Sequence, residues 1–173
     1  ASPVAIMVGT GKGAEYGVLF KSAEALEHAH TVQTVVLDKT GTITQGKPKV
    51  TECVAAKDFA SGEQGLLSLA ASLEQPSEHP LAEAILERAK ELSLPVRPVE
   101  NFQAVSGRGI SATVDGVPCL AGNAAMMKEN GIALGDLEEQ GEALSLDGKT
   151  PLYFAYGAKA AGLIAVADVV KPT

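Results

Sequence analysis

The chain has 173 residues and a formal net charge of −7; 46% of the residues are hydrophobic, 20% are charged and only 4% are aromatic. This length suits one domain or slightly more, and the hydrophobic content excludes a chain that is disordered throughout. Because the charge is negative and Trp is absent, nucleic acid is not expected as a partner. No stretch approaches the roughly 20 consecutive apolar residues that a membrane span needs.

The two ends of the sequence predict that it is part of a longer protein. Ala1-Ser2-Pro3 leads directly into an apolar run, with neither an initiator Met nor a cleavable leader. At the other end, residues 169–173 stop without any element that terminates a strand or a helix. We therefore expect further segments outside these 173 residues.

The first third of the chain contains a predicted helix and two predicted strands. Ser22 is placed to cap a short helix that extends to about His28. Thr34–Leu37 is a continuous apolar, β-branched run, which is typical of a buried strand in a parallel sheet. This run ends at Asp38, and a weaker strand is predicted over Lys49–Ala55.

The remainder of the chain predicts an antiparallel α+β domain. Ser61 and Gln64 have the spacing of a capping box for a first helix, and Pro80 suits the first turn of a second helix that runs to about Leu92. Asp115-Gly116 is typical of a tight hairpin turn. The hairpin strands, the later helices and the last two strands are predicted at 110–114 and 117–121, 124–130 and 137–146, and 151–156 and 162–167.

The segment Asp38–Thr44, with the sequence Asp-Lys-Thr-Gly-Thr-Ile-Thr, predicts a phosphoryl-transfer site. A carboxylate at the end of a buried strand is already ionised, so Asp38 needs no base to act as a nucleophile. Lys39 supplies a cation, and Thr40 and Thr42 supply hydroxyls that stabilise charge on a transferring phosphoryl group. Mg2+ prefers oxygen ligands, so Asp38 and Thr40 are its predicted ligands. The alternative is an ordinary turn after a strand.

This heptapeptide resembles the phosphorylation signature of P-type ATPases, and nearly the whole chain is similar to their heavy-metal-transporting branch, above all to bacterial copper-exporting pumps. Ala1–Gly13 resembles the cytosolic end of the membrane helix that follows the ion-binding Cys-Pro-Cys of that branch. The resemblance implies ATP and Mg2+ as cofactors and a multi-pass parent protein in the cell membrane, with this region on the cytoplasmic side. It also implies partners in the remainder of the same pump chain and in a heavy-metal ion, by family analogy monovalent copper, which is bound by membrane helices outside this sequence.

Three further segments resemble the nucleotide-binding motifs of the same branch. Ser77–Leu81 matches a Ser-Glu-His-Pro motif in which the His is implicated in adenine binding, so His79 takes that role here, with Glu74 as the acceptor for the adenine amino group. The two glycines of Gly107-Arg108-Gly109 match a pair that lets the backbone approach the nucleotide, and Asn123 matches an Asn of the same pocket. Taken singly, these residues also fit a helix cap, a turn and a helix start.

The resemblance implies an α+β nucleotide-binding domain, an antiparallel sheet flanked by helices, inserted in an incomplete α/β haloacid-dehalogenase-like phosphorylation domain. The predicted divisions are 1–45 for the membrane-helix extension and the start of the phosphorylation domain, 46–161 for the nucleotide-binding domain, and 162–173 for its last strand and the hinge back. Asp168, after a strand at Leu163–Ala167, resembles the hinge Asp, and Lys171 a nearby basic residue. The later Mg2+-binding segments of the family are missing, so the chain is expected to bind nucleotide better than it turns it over.

Two other functions remain open from the sequence. Soluble phosphatases of the haloacid-dehalogenase type share the Asp-x-x-Gly-Thr start of the motif, but they usually carry a second Asp two residues after the nucleophile as a general acid. Thr40 occupies that position here, which favours a long-lived phosphoenzyme over rapid hydrolysis. The third possibility is a non-catalytic nucleotide-binding module.

Overall fold

The structure of the protein is a computed structural model that describes residues 3–171. The chain divides into two compact units, Ala1–Asp38 and Lys39–Thr173. The first two and last two residues, which belong to the predicted segments 1–45 and 162–173, lie outside the described residues. The predicted domain boundaries at 45/46 and 161/162 remain predictions.

The first unit contains two helices, α1 (Pro3–Glu15) and α2 (Ala23–Ala29). The predicted cap of α2 is confirmed, because the Ser22 hydroxyl accepts a hydrogen bond from the Ala25 N–H at 3.1 Å. None of the residues described in this unit is buried. Among the helices of residues 3–171, none has both the length and the apolar character needed to cross a membrane.

The prediction of a buried parallel strand at Thr34–Leu37 is wrong. Residues 32–38 have no regular secondary structure, and Val36 is 91% exposed. A parallel strand needs a neighbour running in the same direction to satisfy its backbone groups. All strand pairs of the described chain are antiparallel, so this segment finds no such neighbour.

The second unit is built on one six-stranded antiparallel sheet with the strand order β1-β6-β5-β4-β3-β2. The first strand pairs with the last, and β1 lies beside β6 over almost its whole length. The predicted strands after residue 48 are all present. The strands are β1 (Thr44–Ala55), β2 (Val99–Val105), β3 (Gly109–Val114), β4 (Val117–Gly122), β5 (Thr150–Tyr156) and β6 (Lys159–Val170).

Helices cover both faces of this sheet, which confirms the predicted α+β class. Successive residues of a strand point to opposite faces, so Phe154 packs with the helices on one face while Tyr153 packs on the other. The first pair of helices buries the larger hydrophobic cluster and the second pair the smaller one. The helices are α3 (Gly62–Glu74) and α4 (Pro80–Glu91) on the first face, and α5 (Ala124–Glu129) and α6 (Asp136–Leu146) on the second.

Local sequence signals are confirmed at the hairpin and at α4 but not at α3 or at the end of β6. Asp115 and Gly116 have φ of 51° and 78°, which is the primed turn expected between β3 and β4. Ser61 precedes α3, but its backbone is already helical and its side chain makes no cap bond, so the capping box is wrong. Asp168 lies inside β6 rather than after it, because pairing with β1 extends the strand to Val170.

Candidate functional site

A cavity of about 630 Å3 lies between the α3–α4 connection, the turn between β2 and β3, and the start of α5. Its size falls within the usual range for small-molecule sites. All five residues predicted to bind nucleotide line this one cavity, although up to 49 positions separate them in the sequence. They are Glu74, His79, Gly107, Gly109 and Asn123.

Glu74, the last residue of α3, places a carboxylate in the wall of the cavity. The residue is 4% exposed, and within residues 3–171 its Oε2 atom has no hydrogen-bond partner. Burial raises the pKa of this carboxyl, while Ser77 and His79 act in the opposite direction with smaller effects. A buried acceptor without a partner costs free energy, so this site favours a ligand that brings an N–H donor.

His79 both caps α4 and lines the cavity. Its Nδ1 atom accepts a hydrogen bond from the Leu81 N–H at 3.2 Å, and its own backbone N–H donates to the Ser77 hydroxyl. With Nδ1 used as the acceptor, the neutral ring carries its proton on Nε2, which is the nitrogen available to a ligand. The cap is therefore compatible with the predicted contact between His79 and a nucleotide.

Asn123 joins the two remaining walls of the cavity. Its Oδ1 atom caps α5 by accepting from the Met126 N–H at 3.0 Å, and its Nδ2 donates to the Gly107 carbonyl at 3.0 Å. Gly107 has φ of +69°, which favours glycine, and open space surrounds the position of a Cβ there. Gly107 is therefore the glycine of the pair that leaves room for a ligand.

The pairing of β3 with β4 requires a glycine at position 109. A Cβ on Gly109 would lie 2.0 Å from the carbonyl oxygen of Ala121, and its φ is +151°. The close backbone approach at this residue is therefore to strand β4. Gly109 still lines the cavity, so its predicted contact with nucleotide stays a prediction beside this packing role.

The predicted phosphoryl-accepting residues fall on either side of the division between the units. Asp38 is the last residue of the first unit and lies in the exposed segment 32–38, which has no regular secondary structure. Lys39, Thr40 and Thr42 belong to the loop 39–43 of the second unit, where all three are exposed. Gly41 in this loop has φ of 78°, which allows the chain to turn sharply into β1.

Thr44, Asp168 and Lys171 hold the loop 39–43 in place. The Thr44 hydroxyl lies 2.5 Å from Asp168 Oδ2 and 3.0 Å from the Lys39 carbonyl, and it accepts from the Gly41 N–H at 3.2 Å. The Lys171 ammonium donates to the Gly41 carbonyl at 2.6 Å. Thr44 lies in the predicted phosphorylation motif and Asp168 at the predicted hinge, but nothing in the sequence links the two.

The described residues hold no ready-made metal cage. Across residues 3–171, no group of three or more His, Cys, Asp or Glu side chains converges as a ligand set. Mg2+ needs only one or two carboxylates when phosphate oxygens and waters complete its octahedron. Oxygen ligands of this kind suit Mg2+ that is bound together with a nucleotide, so Asp38 and Thr40 as Mg2+ ligands stay a prediction.

Sequence reasoning missed several residues that line the cavity. Phe102 and Leu152 provide apolar surface for a flat ring, and Arg108 adds a cation at the turn. The sequence carried a signal only for Arg108, which lies between the two predicted glycines. Phe102 and Leu152 reach the cavity through strand positions that depend on the pairing of the sheet.

The sequence pattern of haloacid dehalogenase-like hydrolases matches residues 32–173. The chain therefore belongs to the haloacid dehalogenase-like hydrolases. Within this family it is similar to metal-transporting P-type ATPases, as the resemblance predicted. It is 49% identical over 173 residues to a copper-transporting P-type ATPase of Rhizobium leguminosarum bv. viciae, and 42% identical over 173 residues to a silver-exporting P-type ATPase of Salmonella typhimurium. Both alignments cover the whole chain but only 20% and 21% of those proteins, so the chain spans about a fifth of their length.

Solved structures agree with this placement. A crystal structure of a zinc-transporting PIB-type ATPase in the E2.Pi state superimposes with a TM-score of 0.81 at 34% identity, covering 98% of this chain and 27% of that one. The N-domain of HMA8, a copper-transporting P-type ATPase, superimposes with a TM-score of 0.57 at 26% identity, covering 69% of this chain and 99% of that domain.

Proposed function

We propose that this chain is the ATP-binding and phosphoryl-accepting region of a P-type ATPase that exports a heavy-metal cation. In this proposal ATP binds in the cavity, and Asp38 receives its γ-phosphoryl group. The parent pump lies in the cell membrane with this region on the cytoplasmic side. The remainder of the pump and the transported ion are its partners.

The observation that carries the proposal is the buried Glu74 carboxylate in the cavity wall. Its Oε2, which has no hydrogen-bond partner within residues 3–171, fits the exocyclic amine of adenine, and His79 and Phe102 flank the same space with ring systems. Five residues chosen from the sequence meet there, which is not expected for five unrelated turn and cap residues. Adenine binding is the simplest chemistry that uses all of them.

The chemistry proposed for Asp38 is an in-line transfer. A carboxylate oxygen of Asp38 forms a bond to the γ-phosphorus as the bond from that phosphorus to the β–γ bridging oxygen breaks, so ADP leaves with that electron pair. Mg2+ bound with the phosphates would neutralise charge that develops on them. Lys39, Thr40 and Thr42 supply a cation and hydroxyls to the transferred group.

The transported ion is proposed as monovalent copper. Relatives similar to this chain are named for copper and for silver, which as soft monovalent ions are bound by similar ligands, and a structural relative is named for zinc. A nucleotide-binding region does not touch the transported ion, so it is shared by pumps for different metals. The choice of copper therefore rests on the more similar relatives.

Phosphoenzyme analysis in the whole pump tests the proposal against its alternatives. With ATP labelled at the γ-phosphate, Mg2+ and copper, we expect an acid-stable, hydroxylamine-labile label that disappears in Asp38→Asn while ATP binding persists. Steady release of phosphate from small phosphate esters without an accumulated label would favour the soluble phosphatase. ATP binding without any label would favour the non-catalytic module. A label that persists in Asp38→Asn would identify another acceptor.

A further inference from the structure

Arg108 brings a permanent positive charge to a cavity whose other charged lining residues are acidic or titratable. It lies between Gly107 and Gly109, and among the described residues that line the cavity it is the one Lys or Arg. Glu74 and Glu78 also line this space. A polyphosphate ligand would therefore meet repulsion from carboxylates and attraction from one guanidinium.

The guanidinium of Arg108 is paired with a carboxylate in the structure without ligand. Its Nη2 atom lies 2.8 Å from Glu129 Oε1, and the two side chains are 41% and 54% exposed. Glu129 is the last residue of α5, outside the cavity lining. An ion pair this exposed is weak, because water screens it and both side chains lose conformational freedom.

The backbone holds both partners in a defined relation to the cavity. The Arg108 carbonyl accepts from the Asn123 N–H at 3.0 Å, and the Arg108 N–H donates to the Val105 carbonyl at 3.0 Å. Asn123 also caps α5, the short helix that carries Glu129. Arg108 and the helix that carries Glu129 are thus both hydrogen-bonded to Asn123, which lines the cavity.

We propose that the Arg108–Glu129 pair determines how strongly this site prefers nucleotides with more phosphates. Arg108 exchanges the Glu129 carboxylate for a phosphate oxygen of the bound nucleotide, so Glu129 competes with the ligand for the guanidinium. Arginine binds phosphate through parallel N–H donors, and the attraction grows with the charge of the phosphate chain. This inference rests on the proposed nucleotide site.

The test is calorimetry on the 173-residue chain with adenosine, AMP, ADP and ATP, without Mg2+ and at low salt. For Arg108→Gln we expect ATP affinity to fall about three- to tenfold, ADP affinity to fall less and adenosine affinity to stay unchanged. For Glu129→Gln we expect ATP to bind about two- to fivefold more tightly because the competing carboxylate is gone. Arg108→Lys keeps the charge and is expected to retain most of the preference for ATP.

The Arg88–Glu91 pair of α4 provides a matched control. Its atoms lie 2.9 Å apart, its side chains are 46% and 57% exposed, and neither residue lines the cavity. Arg88→Gln and Glu91→Gln change the net charge equally and should leave the affinity for all four ligands unchanged. Equal tightening by Glu91→Gln and Glu129→Gln would overturn the inference in favour of an overall charge effect.

Two further results would also overturn it. Equal weakening of adenosine and ATP in Arg108→Gln would mean that the residue only shapes the cavity, while the proposed nucleotide site would stand. If the unmodified chain bound none of the four ligands, the nucleotide site and the inference built on it would both be wrong. Circular dichroism of each variant establishes that the fold is unchanged.

Discussion

The Thr44 hydroxyl lies 2.5 Å from Asp168 Oδ2, which joins the first residue of β1 to the far end of β6 across 124 positions of sequence. Thr44 is 2% exposed, and Asp168 Oδ1 is buried without a partner among residues 3–171. The same hydroxyl accepts from the Gly41 N–H of the loop 39–43. The end of the six-stranded sheet is therefore hydrogen-bonded directly to the loop 39–43 that follows Asp38.

Thr44→Val is expected to destabilise the protein by about 2 kcal/mol, because the half-buried carboxylate of Asp168 loses a hydrogen-bond donor. Valine has nearly the shape of threonine, so the packing around residue 44 is kept. Urea unfolding at pH 7 measures the difference. Thr44→Ser keeps the hydroxyl and should be much closer to the original stability. Equal stability of the valine variant and the original would show that this bond contributes nothing net to folding.

His79→Asn should separate the capping role of His79 from its proposed contact with a nucleotide. Asparagine is a good N-cap, so the unfolding free energy is expected to change little, whereas loss of the ring should weaken adenosine and ATP alike by about five- to thirtyfold. Calorimetry measures the two affinities, and thermal unfolding of the same preparation measures the stability. His28→Gln, at an exposed position of α2, is the control. Unchanged adenosine affinity in His79→Asn would remove His79 from the site.

Glu74→Gln is expected to raise the melting temperature at pH 7.5 while it weakens adenosine binding. Burial raises the pKa of Glu74 in the folded state above its usual value of 4.5, so the folded protein holds this proton more tightly than the unfolded chain does. The contribution of Glu74 to the free energy of unfolding therefore falls as pH rises from about 4.5 through the folded pKa. Above the folded pKa, the full cost of burying the ionised carboxylate is present.

The pH dependence of this variant provides the check on Glu74. Below pH 4 the Glu74 carboxyl is mostly protonated in both the folded and the unfolded state, so its ionisation no longer contributes to the difference in stability between Glu74→Gln and the original protein. Thermal unfolding between pH 4 and 8 is expected to show the advantage of Gln growing with pH. If the gain in melting temperature of Glu74→Gln did not change with pH, the claim that burial raises the pKa of Glu74 would be contradicted.

A fragment of residues 39–173 is expected to fold cooperatively without the first unit, because every buried residue of the described chain lies within it. Agreement between calorimetric and van't Hoff enthalpies tests this expectation. A shorter fragment, 46–168, lacks Thr44 and Lys171 and should be less stable by about 2 kcal/mol or more. Equal stability of the two fragments would contradict the importance of these contacts.

The sequence by itself determined the features that depend on a few neighbouring residues. Asp115-Gly116 makes its turn because glycine and aspartate tolerate positive φ, and Ser22 caps α2 because its hydroxyl reaches an N–H three residues ahead. The motif Asp38–Thr44 indicated the family for a similar reason, since its chemistry is contained in seven consecutive residues. These signals do not require knowledge of distant parts of the chain.

Only the tertiary structure decided which distant residues meet and which apolar segments are covered. Thr34–Leu37 has the composition of a buried strand but stays exposed, because burial depends on a neighbour that the described chain does not provide. The raised pKa of Glu74, the bond between Thr44 and Asp168 and the pairing of Arg108 with Glu129 all arise from packing between separate elements. Desolvation and hydrogen bonding depend on distances in space, and sequence spacing does not specify those distances until the sheet has formed.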